Sequence, residues 1–272
     1  MKLKEVQMEN IQDLQRKITK KEHGNWISAQ ELLKEPTMTQ LEELCPKHNI
    51  PLELVDLGYR KIKKCIACSK EIDEEIRQRE LESLEYDKKF KLQQVNIPLR
   101  FKDKTFDNYI IQNDKQKKVV EEVQWFIANY NNSTGIILIG NTGTGKNHLA
   151  IAMIKGIIQR YNVFVKLTEA LKVIRDIKSI WKNNEENEDM KIKEYSNVGL
   201  LVIDEIGVQY GSETERMYLT EIINDRYNWM RPTVLIANLT IKELQEILGE
   251  RVIDRFREGG KVIVFDWESY RK

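Results

Sequence analysis

Short apolar runs alternate with longer helical patterns over the last two thirds of the chain, from Ile97 onward. The runs are rich in β-branched side chains, which is typical of strands buried on both faces of a parallel sheet. Between them, apolar positions recur at helical spacing on a polar background. The pattern predicts a three-layer α/β domain built on a five-stranded parallel sheet with crossover helices. The predicted strands are Ile136–Ile139, Val163–Leu167, Leu200–Ile203, Thr233–Ala237 and Val262–Phe265, and the predicted helices are Lys146–Arg160, Thr168–Lys182, Glu213–Trp229 and Ile241–Leu248.

The residues before this domain have a different pattern, and we expect a separate small helical module. Apolar positions from Leu3 to Ile18 recur at helical spacing, which predicts an amphipathic helix that packs on its own protein or binds a partner. A second helix is predicted near Ser28–Leu33, and a charged helix from Glu71 to about Leu92 is expected to act as a connector. The expected division is therefore residues 1–96 and 97–272.

Composition narrows the class of protein. The chain has 272 residues, with 44 Lys and Arg against 43 Asp and Glu, so its overall charge indicates no particular partner, although local patches remain possible. No apolar run approaches the roughly 18–20 residues that span a bilayer, and the N-terminus lacks the apolar stretch of a signal peptide. We expect a cytoplasmic protein with no membrane partner. In a reducing compartment its three cysteines are either buried or metal ligands.

A glycine-rich stretch follows the first predicted strand of the α/β domain and precedes a helix. It matches the phosphate-binding motif G-x-x-x-x-G-K-[ST] at every position but the last. Glycines let backbone N–H groups surround a phosphate, the helix N-terminus adds a favourable dipole, and Lys146 neutralises the β- and γ-phosphate oxygens. Asn147 replaces the hydroxyl that usually ligates Mg²⁺, and its amide oxygen is also a possible ligand. The predicted nucleotide site comprises Gly140, Asn141, Thr142, Gly143, Thr144, Gly145, Lys146 and Asn147.

Two carboxylates end a later apolar strand. Asp204 and Glu205 directly follow Leu200–Ile203. Asp204 is suited to hold Mg²⁺, directly or through water, and Glu205 to orient or deprotonate an attacking water. Acids at a strand end are often only solvated, but their occurrence with the phosphate loop predicts ATP hydrolysis.

All three cysteines lie in two short motifs with a histidine. Cys45 and His48 form a C-x₂-H pair, and Cys65 and Cys68 form a C-x₂-C pair sixteen residues later. Two such pairs complete a closed tetrahedral site, which predicts structural Zn²⁺ binding. Coincidental clustering of buried cysteines with a surface histidine is the alternative. Between the pairs, Arg60–Lys64 is a basic stretch that contacts a nucleic-acid backbone or an acidic partner, or is only solvated.

Four blocks of the sequence together resemble one family. They are GTGKNHLA from Gly143, SNVGLLVIDEIGVQ from Ser196, ILGERVIDRFR from Ile247 and FDWESYR from Phe265. These blocks resemble the DnaC-type replicative helicase loaders of the AAA+ class, including the asparagine after the motif lysine. The resemblance covers about residue 97 to the C-terminus. Related IstB-type transposition ATPases share the architecture and usually have threonine there, so Asn147 favours the loaders.

The resemblance implies a P-loop AAA+ fold without a lid domain, and it implies further site residues. Asn238 matches the sensor 1 residue that aligns the attacking water with the γ-phosphate, and Arg255 matches the arginine finger that reaches a neighbouring subunit's γ-phosphate. His148 and Arg271 stand at positions where the family carries nucleotide-site residues. From the residues alone, a turn-forming asparagine and a solvated helix face are the alternatives for Asn238 and Arg255.

A cation and an aromatic residue lie close together in the helix after the second predicted strand of the domain. Lys178 and Trp181 combine a charge for the backbone with a ring for base stacking, which is how single-stranded DNA is bound without sequence specificity. The family places single-stranded DNA contacts in this helix. A tryptophan packed on the core is the alternative.

We therefore predict an AAA+ ATPase that uses ATP, Mg²⁺ and a structural Zn²⁺ to load a replicative hexameric helicase onto single-stranded DNA. ATP binding is expected to favour self-association through the ATP sites, and hydrolysis to release the loader. The N-terminal module is expected to face the helicase. The alternatives are an IstB-type transposition helper ATPase and a low-turnover, nucleotide-dependent adaptor that binds helicase or DNA.

Overall fold

The computed structural model describes residues 37–57, 60–179, 188–207 and 213–270. The chain divides into two compact units, residues 1–83 and 84–272. This division lies inside helix α1, Ile66–Gln94, which includes the predicted connector helix. The domain boundary expected after residue 96 stays a prediction. The helices predicted for residues 3–18 and 28–33 lie outside the described residues.

The first unit contains a three-stranded antiparallel sheet that the sequence pattern did not predict. The strands are β1 (Thr37–Leu44), β2 (Pro51–Asp56) and β3 (Lys61–Lys64), in the order β1-β2-β3. Most of their residues are exposed or half-buried, and the buried residues described in this unit are Cys45, Leu52 and Cys65. So small a core gives little hydrophobic stabilisation, because burial scales with apolar area.

The second unit is built on the predicted five-stranded parallel sheet. The strands lie in the order β5-β6-β7-β4-β8 and are all parallel. The fold class predicted from the sequence is confirmed, and the strand ends differ from prediction by no more than two residues. The strands are β4 (Gly135–Gly140), β5 (Val165–Glu169), β6 (Leu200–Asp204), β7 (Thr233–Ala237) and β8 (Lys261–Phe265).

Helices cover both faces of this sheet. No helix bounds are predicted from the sequence for α2, α5 and α8. The predicted helix from Thr168 to Lys182 begins at Ala170, because Thr168 and Glu169 belong to β5, and its residues 180–182 lie outside the described residues. Within the described ranges, no helix is both long enough and apolar enough to cross a membrane. The helices are α2 (Asp114–Ala128), α3 (Lys146–Tyr161), α4 (Ala170–Ser179), α5 (Glu188–Asn197), α6 (Glu213–Asn228), α7 (Ile241–Leu248) and α8 (Glu250–Gly259).

Strand β4 shows why the sheet needs helices on both sides. Ile136 and Leu138 pack with α2 and α3 on one face, while Ile137 and Ile139 pack with α4 to α8 on the other. All four side chains are buried. Because alternate residues of a strand point to opposite faces, a continuous apolar run is stable only between two layers. Because helices cover both faces, a binding site is expected at the carboxyl edge, where the strands end.

Arg226 connects the starts of β6 and β7 at the amino-terminal edge of the sheet, opposite the carboxyl edge. The side chain lies in the last turn of α6 and is fully buried. Its guanidinium donates hydrogen bonds to the Thr233 hydroxyl and to five backbone carbonyls around the starts of β6 and β7. The carbonyl acceptors belong to Tyr195, Ser196, Val198, Gly199 and Pro232, and the six distances are 2.6–3.1 Å.

Candidate functional site

A cavity of about 480 Å³ lies at the carboxyl edge of the parallel sheet, where β4, β6 and β7 end. It brings together residues that are far apart in the sequence. The sequence-predicted residues in its lining are Thr142, Gly143, Gly145, Lys146, Asn147, His148, Asp204, Glu205 and Asn238. The lining also includes residues that sequence analysis missed, among them Arg100, Lys104, Tyr109 and Tyr270.

The phosphate loop connects β4 to α3 and depends on glycine at two positions. Gly140 has φ +119° and Gly145 has φ +96°, in a region that other residues rarely adopt. A Cβ atom at Gly140 would lie 2.3 Å from the carbonyl oxygen of Phe265, and one at Gly145 would lie 2.8 Å from the ring of Tyr109. The Asn141 N–H donates to that same Phe265 carbonyl at 3.1 Å. The loop is therefore packed too closely for a side chain at Gly140, where it meets β8, and at Gly145, where it meets Tyr109.

The segment after β8 donates two hydrogen bonds to the backbone of the phosphate loop. The Trp267 indole Nε1–H donates to the Thr144 carbonyl at 3.1 Å, and the Tyr270 N–H donates to the Gly143 carbonyl at 2.9 Å. The FDWESYR block therefore fixes the loop's backbone, a role that its sequence alone did not indicate. Arg271 lies outside the described residues.

Lys146 lies inside the loop, as the first residue of α3. Its side chain is almost fully buried, and its Nζ donates to the carbonyls of Gly140 at 2.8 Å and Asn141 at 2.6 Å. The Thr144 hydroxyl also donates to the Asn141 carbonyl, at 2.7 Å. An ammonium group and a helix N-terminus therefore face the same cavity, and both favour a bound anion.

Asp204 and Asn147 meet across the cavity floor. Asp204 ends β6, and its Oδ2 accepts a 2.7 Å hydrogen bond from the Asn147 side-chain amide. Its Oδ1 accepts from the Glu205 backbone N–H at 2.7 Å. Burial raises the pKa of Asp204, and these two donors oppose that rise. A carboxylate and an amide oxygen beside a phosphate loop are the oxygen ligands that Mg²⁺ prefers, so the residues fit that ion.

Glu205 belongs to a group of three acidic residues. It lies just beyond β6 in a left-handed backbone conformation, φ +57°, which few residues other than glycine adopt. Burial raises the pKa of Glu205, and so do the charges of Glu169 and Asp204. Glu169 ends β5 directly beside Asp204 in the sheet register. Sequence analysis missed Glu169 because it placed this position in the following helix.

Asn238 and His148 complete the predicted lining. Asn238 directly follows β7 and is exposed to the cavity. The His148 Nε2 lies 2.8 Å from the Thr105 carbonyl oxygen, and its ring meets Tyr109 edge-on. Burial lowers the pKa of His148, which favours a neutral ring that donates to Thr105. A direct nucleotide contact of His148 stays a prediction.

Arg255 lies at the other end of the sheet. It belongs to α8, and its carbonyl accepts a 3.0 Å hydrogen bond from the hydroxyl of Thr134, the residue before β4. The phosphate loop begins at the opposite end of that six-residue strand. At about 3.3 Å per residue, the two ends are roughly 20 Å apart. Arg255 is absent from the described lining of its own chain's cavity, and a contact of Arg255 with the nucleotide of a second copy stays a prediction.

Of the two residues predicted to contact DNA, Lys178 lies within the described residues. The Lys178 Nζ forms an ion pair with the Glu215 carboxylate at 2.7 Å and is partly exposed. This ion pair reduces the positive charge that the Lys178 side chain presents to a phosphate group. Trp181 lies outside the described residues. Neither DNA contact is tested by this geometry.

The first unit brings the three cysteines and His48 together. The Cys45 and Cys68 sulfurs are 3.7 Å apart, and the His48 Nδ1 lies 3.3–3.8 Å from all three sulfurs. Tetrahedral Zn²⁺ with Zn–S near 2.3 Å and Zn–N near 2.0 Å places its ligand atoms about 3.5–3.8 Å apart. Backbone N–H donation from His48 lowers the pKa of the Cys45 thiol to about 6, which favours the thiolate that zinc binds, whereas burial raises the pKa of the Cys68 thiol to about 11. The four residues therefore fit a zinc ion.

Glu71 orients the histidine of this cluster. The His48 Nε2 lies 3.1 Å from one Glu71 carboxylate oxygen, and Lys47 Nζ donates to the other at 2.6 Å. With Nε2–H donating to Glu71, the lone pair of Nδ1 faces the sulfurs, as zinc ligation requires.

The basic stretch from Arg60 to Lys64 is partly neutralised. Lys61 pairs with Asp56 at 3.2 Å, and Lys63 pairs with Glu43. These exposed pairs reduce the net charge available to a nucleic-acid backbone.

Comparisons with known proteins agree with this architecture. Residues 65–272 match the family described as IstB-like ATP binding protein. The chain is 34% identical over 169 residues to the replicative helicase loader DnaC of Escherichia coli strain K12, covering 61% of this chain and 69% of that protein. It is 39% identical over 171 residues to the loader DnaC of Buchnera aphidicola subsp. Baizongia pistaciae, covering 62% and 69%. The crystal structure of a DnaC helicase loader superposes with a TM-score of 0.56 at 23% identity, covering 62% of this chain and 100% of that one, which shows the shared fold.

Proposed function

The chain belongs to the family of IstB-like ATP-binding proteins, and from this premise we propose that it is a cytoplasmic ATPase that loads a replicative hexameric helicase onto single-stranded DNA. The observation that carries the proposal is the 34–39% identity to proteins named replicative helicase loaders. The cavity at the carboxyl edge of the sheet supports it, because that cavity combines a phosphate loop with acidic residues.

ATP binding is assigned to the loop and its lysine. Backbone N–H groups from Gly143 to Lys146 would surround the β-phosphate, and the Lys146 ammonium would neutralise the β- and γ-oxygens. Asn147 and Asp204 would hold Mg²⁺, which supplies charge neutralisation for the phosphates. The first four helical N–H groups need acceptors in any case, so phosphate oxygens satisfy them.

Hydrolysis is assigned to Glu205 and Asn238. Glu205 would accept a proton from the attacking water, and the Asn238 amide would orient that water toward the γ-phosphate. Arg255 of a second copy would stabilise the charge that develops on the transferred phosphoryl group. Turnover then depends on self-association, because a single chain keeps its own Arg255 at the far end of the sheet.

The enzymatic assignment is tested with Glu205→Gln. A general base contributes roughly 10²–10⁴-fold, so we expect kcat for ATP to fall about 100-fold or more while nucleotide affinity is kept. Lys146→Ala is expected to lose nucleotide binding as well. An unchanged ATPase rate for Glu205→Gln, with or without single-stranded DNA, would favour the low-turnover adaptor instead.

The loader assignment is tested by co-purification of the full chain with candidate replicative helicases, with and without ATP. We expect a nucleotide-dependent complex that transfers the helicase to single-stranded DNA. We also propose that the N-terminal module, residues 1–96, is the part that faces the helicase, so Cys65→Ser is expected to weaken the complex without lowering ATP affinity. Equal helicase binding by wild type and Cys65→Ser would contradict that role of the module.

Structural zinc is the third part of the proposal. Cys45, His48, Cys65 and Cys68 would bind one Zn²⁺ that stabilises a unit whose described residues form a very small core. Metal analysis of the purified chain should find one zinc per chain, and Cys65→Ser should find none. Wild-type protein purified with less than a tenth of an equivalent, and unable to take up added zinc, would refute the site.

A transposition helper is the second candidate, and the match to the IstB-like family favours it. Such an ATPase would assemble on double-stranded DNA and recruit a transposase. Parallel pull-downs with a replicative helicase and with a transposase distinguish the two candidates, since each predicts one partner only.

A further inference from the structure

Helices α6 and α8 pack side by side around the Arg255 guanidinium. Its Nη1 donates a hydrogen bond to the Asn224 side-chain oxygen. The guanidinium carbon also lies 4.5 Å from the centre of the Tyr227 ring, within cation–π range. Asn224 and Tyr227 are three residues apart on α6, so they present one face of that helix to Arg255.

A second contact fixes the ring itself. The Tyr227 hydroxyl donates a 2.6 Å hydrogen bond to the Glu258 carboxylate. Glu258 lies three residues after Arg255 on α8, so the two helices exchange contacts in both directions. The hydroxyl of Thr134 donates to the Arg255 carbonyl and anchors the backbone at the same point. All of these side chains except Thr134 belong to the two facing helices.

We propose that Asn224, Tyr227 and Glu258 are positioning residues that hold Arg255 ready for the γ-phosphate of a neighbouring copy, a step that rests on the proposed role of Arg255 in trans. An arginine side chain loses much rotamer freedom when it is ordered. A guanidinium that is already ordered before the neighbour docks needs little reorganisation in the transition state. Its direct partners among the described residues are an amide oxygen and an aromatic face rather than a carboxylate.

Complementation between two variants tests whether the arginine finger of one copy supports ATP hydrolysis in the active site of another copy. The donor is Glu205→Gln, which keeps its arginine and lacks the base. The acceptor is Arg255→Ala, which keeps the base and lacks the finger. Each alone is expected to be nearly inactive, and their mixture should regain ATPase activity. Lack of recovery for this parent pair would refute the trans role of Arg255, and the present inference with it.

The inference itself is tested by adding a second substitution to the donor. Tyr227→Leu or Asn224→Ala should lower the recovered kcat roughly tenfold with KM for ATP unchanged, because a displaced group costs transition-state contacts. Tyr227→Phe keeps the ring but loses the hydrogen bond to Glu258, so it should recover only part of the loss. Arg257→Ala, an exposed arginine on α8 that pairs with Asp254, is the matched control and should complement as the parent donor does.

Two outcomes would overturn the inference while leaving the proposed ATPase intact. One is complementation by the Tyr227→Leu and Asn224→Ala donors at the parent level. The other is complementation above the parent level, which would mean that these residues hold Arg255 back from the neighbour. Thermal unfolding and nucleotide titration of each donor check that its fold and its own loop are unchanged.

Discussion

Replacing Arg226 by lysine tests how the strands that carry the site are held in place. The substitution keeps a basic side chain at this buried position but reduces five N–H donors to three. Six acceptors contact the guanidinium, so at least three lose their bond to residue 226. The Ser196 carbonyl also accepts from Arg231, so at least two acceptors are left without a bond. At about 1–3 kcal/mol for each buried unsatisfied group, the free energy of unfolding should fall by about 2–6 kcal/mol. That is a large part of the roughly 5–15 kcal/mol that stabilises an ordinary domain.

Urea unfolding followed by far-UV circular dichroism measures this loss as a lower midpoint. Arg231→Lys is the matched control, because Arg231 lies nearby, donates to the Ser196 carbonyl and the Asn197 side chain, and is only half-buried. We expect the control to lose less than about 1 kcal/mol. If Arg226→Lys lost no more than the control, the hydrogen bonds around Arg226 would not be what fixes the starts of β6 and β7.

Three further substitutions test other contacts. Trp267→Phe removes one buried hydrogen bond to the phosphate loop, worth about 1 kcal/mol, and should weaken binding of a fluorescent ATP analogue roughly fivefold. Asp87→Asn should lower the thermal midpoint by more at pH 7 than at pH 3. The hydrogen bond from Lys91 lowers the pKa of Asp87, so its stabilising contribution is present above the usual aspartate pKa and is lost as pH falls through the lowered value. Glu71→Ala removes the carboxylate behind His48 and should weaken zinc affinity about 10–100-fold in chelator competition.

Matched controls make these three results interpretable. Trp229→Phe changes an exposed tryptophan and should leave nucleotide affinity unchanged. Asp103→Asn, at an exposed position, should shift the thermal midpoint equally at both pH values. Glu75→Ala, one helical turn beyond Glu71, should keep full zinc affinity. Any control that matched its partner variant would contradict the corresponding contact.

The parallel sheet could be predicted from the sequence because its strands are buried on both faces. A run such as Ile136–Ile139 has no polar residue, and only a central strand or a buried helix accommodates that pattern. Because the loop glycines and the acids after Leu200–Ile203 come directly after predicted strands, their position at the carboxyl edge of the sheet could be predicted as well. The start of helix α2 is also marked in the sequence by an N-cap residue, since the Asn113 side chain accepts a hydrogen bond from the Gln116 N–H. Attention to that cap would have predicted this helix.

Other features depend on contacts that no local pattern contains. Strands β1 and β3 are almost wholly exposed and carry no regular apolar alternation, so they resemble loops. Glu169 joins the acidic group only because β5 runs two residues further than its apolar run and pairs with β6. Trp267 reaches the Thr144 carbonyl across 123 positions of sequence. A single sequence gives the residues in such contacts but not their proximity.

The four sequence blocks that resemble helicase loaders do not meet at one place in a single chain. The phosphate loop, the acids after β6 and the segment after β8 converge on the cavity, while α8 carries Arg255 to the other end of the sheet. If Arg255 is the finger, one chain can bind ATP and a second chain must complete hydrolysis. Nucleotide binding and turnover are then separable: binding needs one loop, and turnover needs a contact between copies. Under the proposed function, that separation lets ATP hold an assembly together until the finger engages, so hydrolysis ends the complex that ATP binding had favoured.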